Sequence, residues 1–450
     1  MPGLRKMTWH VLPVGPVYSL MVELRNPQLR VDRDRRRWVA GVSLSDDGRV
    51  ISAALVPCYN RGWDCRPEIV AERSLAVPRR VAALYAKVQR GDAKRAAVAA
   101  VLAAELAELQ ATVLDELLQS EPHGAERILA VGVHDCGLWR RQRHALTGYL
   151  SLCDAARLAD LTGLNVIDAF AARDLAQDGL GGPLLAGPQW VLLHDAQRNR
   201  VLVDLGESVR VTWLPAARDC EGLARVAAFD AGPGMRLLDR LVAKWTDARQ
   251  PHQISTHRQA AYDLAAQGTA IDELMAVWLA NPYFSQPLPR WHGLGVATKT
   301  FCDAAVQLSA GRGWSLCDVL CTATHFIAAH VARGLANHLP AGVRIDDVVL
   351  TGDGQHNSLL TQLLAEKISG VAWKREAELD VPAAALAPAC VAILALLHLD
   401  QTPANLLAVT GARKGRVLGR LTPGSPQRWQ QLVKSLTDTK PAVLSLRSAL

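Results

Sequence analysis

Short apolar runs alternate along the chain with longer amphipathic stretches and glycine-rich turns, which is the pattern of an α/β protein. Two of the runs, residues 38–43 and 49–56, flank Asp46-Asp47-Gly48 and predict a β-hairpin. An Ala-, Leu- and Glu-rich stretch predicts helix over 78–119, interrupted near Gly91. The other predicted elements are strands at 128–133, 164–168, 189–194, 200–205, 209–214, 226–229 and 348–350, helices at 154–161 and 235–247, and a largely helical region over 258–337.

The mixture of hairpins with alternating strands and helices predicts a mixed-sheet α/β protein of two lobes. The chain has 450 residues, of which 50% are apolar and 21% are charged, so it can bury a large core and is not a disordered protein. We expect lobe I at 38–198 and lobe II at 199–424. A basic leader (1–37) and a basic tail (425–450) flank them.

The net charge of +7 is concentrated at the two ends of the chain. Six arginines stand against two aspartates within residues 25–37, and eight Lys or Arg residues stand against Asp438 alone within 413–450. Such ends can contact nucleic acid or anionic lipid, but no aromatic side chains interleave the arginines of 25–37 as stacking partners. We therefore interpret both ends as solvated flanks and expect no nucleic-acid partner.

The nine cysteines are scattered and form no CxxC pair, so neither a zinc ribbon nor a thioredoxin motif is present. This usage fits free thiols in a reducing compartment. No secretory signal opens the chain. The longest uncharged run, residues 381–397, contains two prolines and is shorter than the roughly 20 residues that a membrane span requires. We expect a buried helix there, no membrane span and a cytoplasmic protein.

Two segments, 226–234 and 348–357, share one design, in which a buried strand is followed by a glycine-rich turn and a helix. Glycine allows the backbone to approach a ligand closely, and a helix N-terminus favours phosphate. One such turn is weak evidence, because any α/β loop uses glycine. Together with the hairpin at 41–48, the two turns favour a nucleotide held between the lobes.

Two other groupings of reactive side chains favour structural roles. Cys317, Cys321 and His325 lie on one face of a predicted helix at a spacing that suits metal ligands. A rigid helix does not easily wrap three ligands around one ion, so we expect thiols that face the core and no metal site. His134-Asp135-Cys136 places a thiol next to a base, but neighbouring residues on a strand point to opposite faces, so a catalytic cysteine is not expected.

Several stretches in fixed order carry a resemblance to one family. They are LTGLNVIDAFAARDLA at 161–176, GLGGPL at 179–184, FDAGPG at 229–234 with Asp239, NPYFSQP at 281–287, GDGQHN at 352–357, NLLAVTGA at 405–412 and VLG at 417–419. From about Val39 to Gly424 the chain resembles the anhydro-N-acetylmuramic acid kinase family. One stretch alone would not be specific, whereas the ordered set is.

The resemblance implies an α/β, two-lobe actin-like (ribonuclease H-like) ATPase fold with a cleft between the lobes. It implies a sugar kinase that opens a 1,6-anhydro ring with water while moving the γ-phosphoryl group of ATP to O6. That activity belongs to peptidoglycan recycling and amino-sugar metabolism, and Mg-ATP would be the cofactor. The implied partners are a small-molecule amino sugar and a nucleotide, and a homodimer is left open.

The sequence departs from the family at the position of the catalytic base. The family's Asp-Phe-Arg motif supplies this base, and a gap-free count places Ala169 at its Asp and Ala171 at its Arg. Asp168, one position earlier, is the displaced candidate, but on an extended strand it would point to the opposite face. Loss of a positioned base lowers a rate by about 10²–10⁴-fold, so the expected activity is weak or lost.

The nucleotide and sugar positions keep the family's scaffold but change its side chains. Val42 and Ala231 stand in place of threonines, Asp204, Glu207 and Asp353 are new carboxylates that would repel a polyphosphate, and Ala384 and Ala387 stand at acidic positions. A catalytically inactive pseudokinase that binds sugar or nucleotide, or acts as a scaffold, is therefore the alternative to a weak kinase. The carried-over positions are Gly41, Ser43, Asp47, Gly48, Gly206, Asp230, Gly232, Pro233, Gly234, Gly352, Gly354 and Asn357 for nucleotide and His134, Arg173 and Asp174 for substrate.

Overall fold

A computed structural model describes residues 36–90, 95–134, 137–140, 148–245, 254–291 and 296–437. These residues belong to one compact unit. The basic leader expected at 1–37 lies outside the described residues except for Arg36 and Arg37. Residues 438–450 of the expected tail also lie outside them.

Seven strands form the first sheet: β1 (Arg37–Leu44), β2 (Val50–Tyr59), β3 (Arg66–Pro67), β4 (Ala71–Ala76), β5 (Ile128–His134), β8 (Val166–Asp168) and β14 (Arg420–Thr422). Their order is β14-β8-β5-β1-β2-β3, and β4 also pairs with β2. Strand β1 runs antiparallel to β2 and parallel to β5, which is parallel to β8. A separate small hairpin joins β6 (Leu138–Arg140) and β7 (Gly148–Leu150).

Successive side chains of β1 point to opposite sides of the sheet, so both of its faces carry apolar residues. Helices cover both faces. Ala40 and Val42 belong to the core that includes the long second helix, whereas Val39 packs with the apolar helix near the end of the chain. The helices of this lobe are α1 (Arg79–Arg90), α2 (Arg95–Ser120), α3 (Pro122–Arg127), α4 (Ala155–Thr162), α5 (Phe170–Leu175), α6 (Ala186–Leu193), α13 (Leu386–Leu399), α14 (Leu407–Thr410) and α15 (Pro426–Thr437).

Five strands form the second sheet: β9 (Arg200–Leu205), β10 (Ser208–Leu214), β11 (Ala227–Pro233), β12 (Asp347–Thr351) and β13 (Ala372–Arg375). Their order is β11-β10-β9-β12-β13. The helices of this lobe are α7 (Met235–Trp245), α8 (Ile254–Gln267), α9 (Asp272–Leu279), α10 (Val296–Ser309), α11 (Leu316–His338) and α12 (Ser358–Lys367).

Ion pairs connect the start of β12 to the neighbouring strands β9 and β13. Asp347 is fully buried and accepts hydrogen bonds from Arg198 Nε at 2.9 Å, Arg200 Nε at 3.2 Å and Lys374 Nζ at 3.2 Å. The hydrogen bond from Arg198, helped by those from Arg200 and Lys374, lowers the pKa of Asp347 well below its usual value, against the effect of burial. The carboxylate is therefore ionised wherever the protein is folded near neutral pH.

The two sheets share one topology. Each begins with three antiparallel strands and continues beside the first of them with two parallel strands, as β2-β1-β5-β8 and β10-β9-β12-β13 show. This strand order is that of the ribonuclease H fold, and its presence twice makes the two lobes of an actin-like protein. The predicted α/β, two-lobe fold is confirmed.

One predicted strand is wrong. Residues 189–194 were expected to begin a β-meander, but they fall largely in helix α6, and the meander consists of β9, β10 and β11. The run Trp-Val-Leu-Leu at 190–193 is apolar throughout, and a short run of this kind suits a buried helix as well as a strand. Pro188 lies in the first turn of α6, where its missing N–H is not needed.

Two separate segments of the chain contribute to the first lobe. The boundary expected at 199 lies between α6 and β9, where the chain passes from the first sheet to the second. After the second sheet, however, α13 returns to pack on β1, β2 and β5, and β14 pairs with β8. Part of the segment expected to be a basic tail is helix α15, whose Leu432 is fully buried.

Two helices, Ala96–Ser120 and Leu316–His338, have the length and composition of a membrane span. Within their most apolar windows, 44% and 72% of the residues are buried inside the protein. Leu106 and Leu114 of the first and Phe326 of the second belong to the cores of the two lobes. At least part of the apolar surface of each helix is therefore buried against the core of its lobe.

Candidate functional site

The glycine-rich turns of the second lobe meet at the turn between β9 and β10. A Cβ atom at Gly234 would overlap the carbonyl oxygen of Gly206. A Cβ at Gly352 would lie 2.6 Å from Asp204 Oδ1, and one at Gly354 would lie 2.8 Å from the Leu205 Cβ. Only glycine fits such approaches. The structure thus brings together four of the residues that the sequence nominated for nucleotide binding.

Arg258, on α8, lies at the centre of this region. Its Nη2 donates to Glu207 Oε1 at 2.7 Å and also to Asp239, and its Nη1 donates to Asp353 Oδ2 at 2.8 Å. The side chains of Arg258, Glu207 and Asp239 are each at most 11% exposed, whereas that of Asp353 is 54% exposed. Three carboxylates from separate elements therefore share one guanidinium.

Two further arginines connect this region to the first lobe through the β1–β2 turn. Arg236, at the start of α7, donates to Glu207 Oε2 at 3.0 Å and to the Asp46 carbonyl at 3.3 Å. Arg210, on β10, forms an ion pair with the Asp46 carboxylate and lies 3.5 Å from Asp204. Because Asp46 belongs to the first sheet's hairpin, both arginines bridge the two lobes.

Burial and neighbouring charges have opposite effects on the pKa values of these side chains. Burial raises the pKa of Asp239 to about 6, although its bonds to Arg258 act in the opposite direction. Burial would also raise the pKa of Glu207, but Arg258 and Arg236 outweigh it, so that pKa is lowered. Burial would lower the pKa of Arg210, and the carboxylates of Asp46 and Asp204 reverse this effect and raise it. Glu207 and Arg210 therefore remain ionised at neutral pH.

The β1–β2 turn is closed by its own hydrogen bonds. Ser45 Oγ donates to Asp47 Oδ1 at 2.6 Å and accepts from the Val50 N–H at 3.0 Å. Gly48 has a φ of 73°, which favours glycine, and it packs on the Tyr85 ring. The side-chain oxygens of Ser45 and Asp47 are thus used to shape the turn.

Two other residues predicted to bind nucleotide lie on β1, at different distances from its carboxyl end. Ser43 is buried at the carboxyl end of β1, beside His134 in the parallel register with β5. Gly41 lies further back, where a Cβ would overlap the carbonyl oxygen of Pro388 on α13. The need for glycine at this position therefore comes from helix-to-sheet packing.

The loop that ends β11 is held by the core of the second lobe. The Asp230 carbonyl accepts from Tyr283 OH at 2.9 Å and from Arg290 Nε at 2.8 Å. His330 Nε2 donates to the Pro233 carbonyl at 3.0 Å, and its ring lies against Gly232. The backbone of residues 230–234 is therefore held by side chains of the second lobe.

Ala169, at the position where the resemblance implies the catalytic base, follows the buried Asp168. Asp168 ends β8, and its fully buried carboxylate accepts from Arg420 Nε at 3.0 Å and Nη2 at 2.6 Å. Arg420 is the residue opposite Asp168 on β14. Ala169 follows with a φ of 53° and a ψ of 39°, a left-handed conformation, and turns the chain into α5. The bidentate pair joins β8 to its neighbour β14 and uses both oxygens of the Asp168 carboxylate.

Asp174 has a different environment from its neighbour Arg173. It is fully buried, and its oxygens accept from the Gly181 N–H at 2.7 Å, Thr410 Oγ1 at 2.7 Å and Asn405 Nδ2 at 2.9 Å. Burial raises its pKa against the effect of these hydrogen bonds. Asp174 thus joins the 179–183 loop to the segment around α14, whereas Arg173 is exposed on α5.

The last nominated residue, Asn357, caps helix α12, and its Oδ1 accepts from the Leu360 N–H at 3.1 Å. Its Nδ2 is buried and has no hydrogen-bond partner among the described residues. Cys317, Cys321 and His325 follow one another along α11. Within the described ranges no group of three or more His, Cys, Asp or Glu side chains is arranged to hold a metal ion.

Comparison with known proteins identifies the family. A model of the anhydro-N-acetylmuramic acid kinase family matches residues 50–424. The chain belongs to this family. The anhydro-N-acetylmuramic acid kinase of Burkholderia thailandensis is 32% identical over 352 residues, which cover 76% of this chain and 86% of that protein. The corresponding protein of Acaryochloris marina is 28% identical over 383 residues, which cover 82% and 96%.

Among solved structures, a ROK family glucokinase from Streptomyces griseus in complex with glucose and AMPPNP is 12% identical, with a TM-score of 0.34. The match covers 79% of this chain and 98% of the glucokinase. An activator of 2-hydroxyisocaproyl-CoA dehydratase from Clostridium difficile with bound ADPNP is 14% identical, with a TM-score of 0.35, and the match covers 80% and 95%.

Four arginines that shape the site of this anhydro-N-acetylmuramic acid kinase relative were missed by sequence reasoning: Arg210, Arg236, Arg258 and Arg420. A signal for one of them was present, because Arg236 lies two residues after Gly234, at the start of a predicted helix. New carboxylates in a buried turn also require nearby cations. The sequence does not show which of the many arginines supplies them.

Family membership implies Mg-ATP, and the residues present can be compared with what a polyphosphate needs. The N–H groups of Gly234 and Met235, at the start of α7, donate to the carbonyls of Glu207 at 3.1 Å and Gly206 at 2.9 Å. The N-terminal turn of α12 is capped by Asn357. Two N–H groups at the start of α7 and one in the first turn of α12 are therefore already paired within the chain, and the site as it stands does not fit a polyphosphate.

Proposed function

We propose that this member of the anhydro-N-acetylmuramic acid kinase family has very low or no kinase activity and acts by binding an amino sugar in its cleft. The observation that supports the proposal is the pair formed by Asp168 and Arg420 beside Ala169. A general base must reach the water that it deprotonates, and neither position supplies a carboxylate that does so. The loss corresponds to roughly 3–5 kcal/mol of activation free energy.

The backbone at Ala169 supports a loss of chemistry on a retained scaffold. Its left-handed conformation is unfavourable for alanine and is adopted more readily by Asp and Asn. An aspartate at this position would therefore be accommodated without a change of backbone. The proposal is that the side chain changed while the turn that once presented it was kept.

The cellular role follows from the family alone. A working enzyme would use Mg-ATP and act in peptidoglycan recycling in the cytoplasm, whereas an inactive one would be a sugar-binding or scaffold protein. The buried hydrogen bonds of Asp174 favour a retained sugar pocket, because they hold the 179–183 loop in place. His134 and Arg173 remain candidate sugar contacts.

The test is a product assay with Mg-ATP and the 1,6-anhydro amino sugar. The unmodified chain is expected to give no turnover above background. Ala169→Asp restores a base, and Ala169→Asn is its matched control, because it has the same shape without a proton acceptor. Calorimetric titration with the sugar alone should show binding in all three proteins.

Turnover by the unmodified chain would refute the proposal. If that turnover disappears in Asp168→Ala, Asp168 is the base and this chain is an enzyme. Absence of sugar binding by the folded, unmodified chain would refute the sugar-binding role and leave a scaffold function. Failure of Ala169→Asp to turn over would show that a further requirement, such as nucleotide binding, is also missing.

A further inference from the structure

The cleft between the lobes contains the donors that a polyphosphate-binding site needs. Three guanidinium groups converge on it from β10, α7 and α8, beside glycine turns and a helix N-terminus, and arginine is well suited to phosphate. Each of the three guanidinium groups, however, is already paired with at least one carboxylate of the same chain. The cleft cluster, as we call these side chains, consists of Arg210, Arg236, Arg258, Asp46, Asp204, Glu207, Asp239 and Asp353.

The pairing of Arg258 is the most complete. All three of its nitrogens donate to carboxylates, with Nε at 3.2 Å from Asp239 Oδ1 and Nη1 at 2.8 Å from Asp353 Oδ2. Glu207 uses both of its oxygens, one toward Arg258 at 2.7 Å and one toward Arg236 at 3.0 Å. A carboxylate and a phosphate offer arginine the same kind of acceptor, so these carboxylates stand where phosphate oxygens would bind.

The charge of the cluster also opposes an anion. Three guanidinium groups face five carboxylates, so an incoming polyphosphate meets net negative charge in a partly buried space where it is poorly screened. To bind, it would have to displace Glu207 or Asp353 from Arg258. The displaced carboxylate would then be left beside the phosphates without its cation.

The cluster joins the lobes as well. Asp46 receives the Arg210 side chain on its carboxylate and the Arg236 side chain on its carbonyl. Trp291 stacks on Arg210, with the guanidinium carbon 5.1 Å from the ring centre, and the same ring lies against Gly182 of the first lobe. These contacts cross the cleft at two points.

We infer that the carboxylates of the cleft cluster take the place of a bound polyphosphate, so that the cleft excludes nucleotide and the lobes are held together without it. The inference rests on the proposed function only for the location of the ligand cleft. It concerns binding, whereas the proposed function concerns phosphoryl transfer, so the two can fail separately.

Calorimetric titration of the full chain with Mg-ATP and with Mg-ADP tests the inference. The unmodified protein should show no binding up to about 1 mM nucleotide. The variant Glu207→Gly/Asp353→Gly leaves all three arginines and removes two carboxylates, and its affinity should rise at least about tenfold, into the measurable range. Asp353→Gly alone should give a smaller gain, and it is the variant that is safer for folding, since Asp353 is more than half exposed.

Two control variants separate the causes. Glu207→Gln/Asp353→Asn removes the charges but keeps the side-chain volume, so it should recover less affinity than the glycine pair. Asp263→Asn/Glu366→Gln changes the net charge equally at exposed positions on α8 and α12 and should leave the protein unable to bind nucleotide. Thermal unfolding and circular dichroism identify any variant that is not folded.

Binding of Mg-ATP by the unmodified chain with a Kd below about 1 mM would overturn the inference. A folded Glu207→Gly/Asp353→Gly protein that binds no better than the unmodified chain would overturn it as well, because exclusion would then have another cause. Tight binding without turnover would overturn this inference and leave the proposed function intact. Turnover by the unmodified chain would overturn both.

Discussion

Protonation of a single buried histidine should destabilise this protein as the pH falls. His330 on α11 is 1% exposed, and its ring stacks on Phe284 at 5.5 Å between centres. Its Nε2–H donates to the Pro233 carbonyl, and its Nδ1 has no hydrogen-bond partner in the described part of the chain. A second proton on this ring would place a charge in an apolar core with nothing to accept from it.

The structure sets the size and the sign of this effect. Burial, assisted by the charge of Arg290, lowers the pKa of His330 to about 3, whereas the unfolded chain has the ordinary value of 6.5. As the pH falls below 6.5 the unfolded state binds the proton first, so stability is lost between about pH 6.5 and pH 3. At pH 5 the loss from this residue is about 2 kcal/mol relative to pH 8, which is a large part of a typical folding free energy.

Urea unfolding at pH 5, 6, 7 and 8 measures the effect in the unmodified protein and in His330→Gln. Glutamine keeps an N–H donor for Pro233 but does not titrate, so the other ionisable groups contribute equally to both proteins. The free energy of unfolding should fall in both proteins between pH 8 and pH 5. The fall should be about 2 kcal/mol smaller in His330→Gln than in the unmodified protein. Equal pH dependence of the two proteins would show that His330 is not a buried, neutral group.

Three further predictions concern stability and are measured by urea or thermal unfolding. Ala169→Gly should stabilise the protein by about 0.5–1 kcal/mol, because glycine relieves the left-handed strain at a smaller entropic cost, and a loss of stability would contradict that conformation. Asp347→Asn should cost about 2 kcal/mol because Arg198, Arg200 and Lys374 lose the carboxylate that they share, although Arg200 keeps its ion pair with Asp195, and it should remove the part of acid destabilisation that occurs as the pH falls below the usual Asp value; a change within error would contradict the buried ion cluster. Gly41→Ala should cost about 3 kcal/mol or more because its Cβ would overlap the Pro388 carbonyl, and normal stability would show that α13 lies further from β1.

Local sequence patterns were sufficient to predict the main strands and turns of the fold. The β1–β2 hairpin and the strand–turn–helix units at Gly234 and Gly354 follow from side-chain periodicity and turn chemistry, which act over a few residues. The error at 189–194 has the same origin. The four consecutive apolar residues at 190–193 have no periodicity, so the choice between helix and strand was left to their packing in the core.

The sequence by itself determined the two-lobe fold and the family, because both can be seen in contiguous residues or in their order. Only the tertiary structure decided which cations pair with the buried carboxylates. Asp168 pairs with Arg420, 252 residues away, and Arg258 gathers Glu207, Asp239 and Asp353 from three separate elements. Ion pairs of this kind depend on distances that folding creates, and the chain has 50 Lys and Arg residues from which any carboxylate could draw a partner. Charge complementarity shows that a buried carboxylate needs a cation, but the fold selects which cation reaches it.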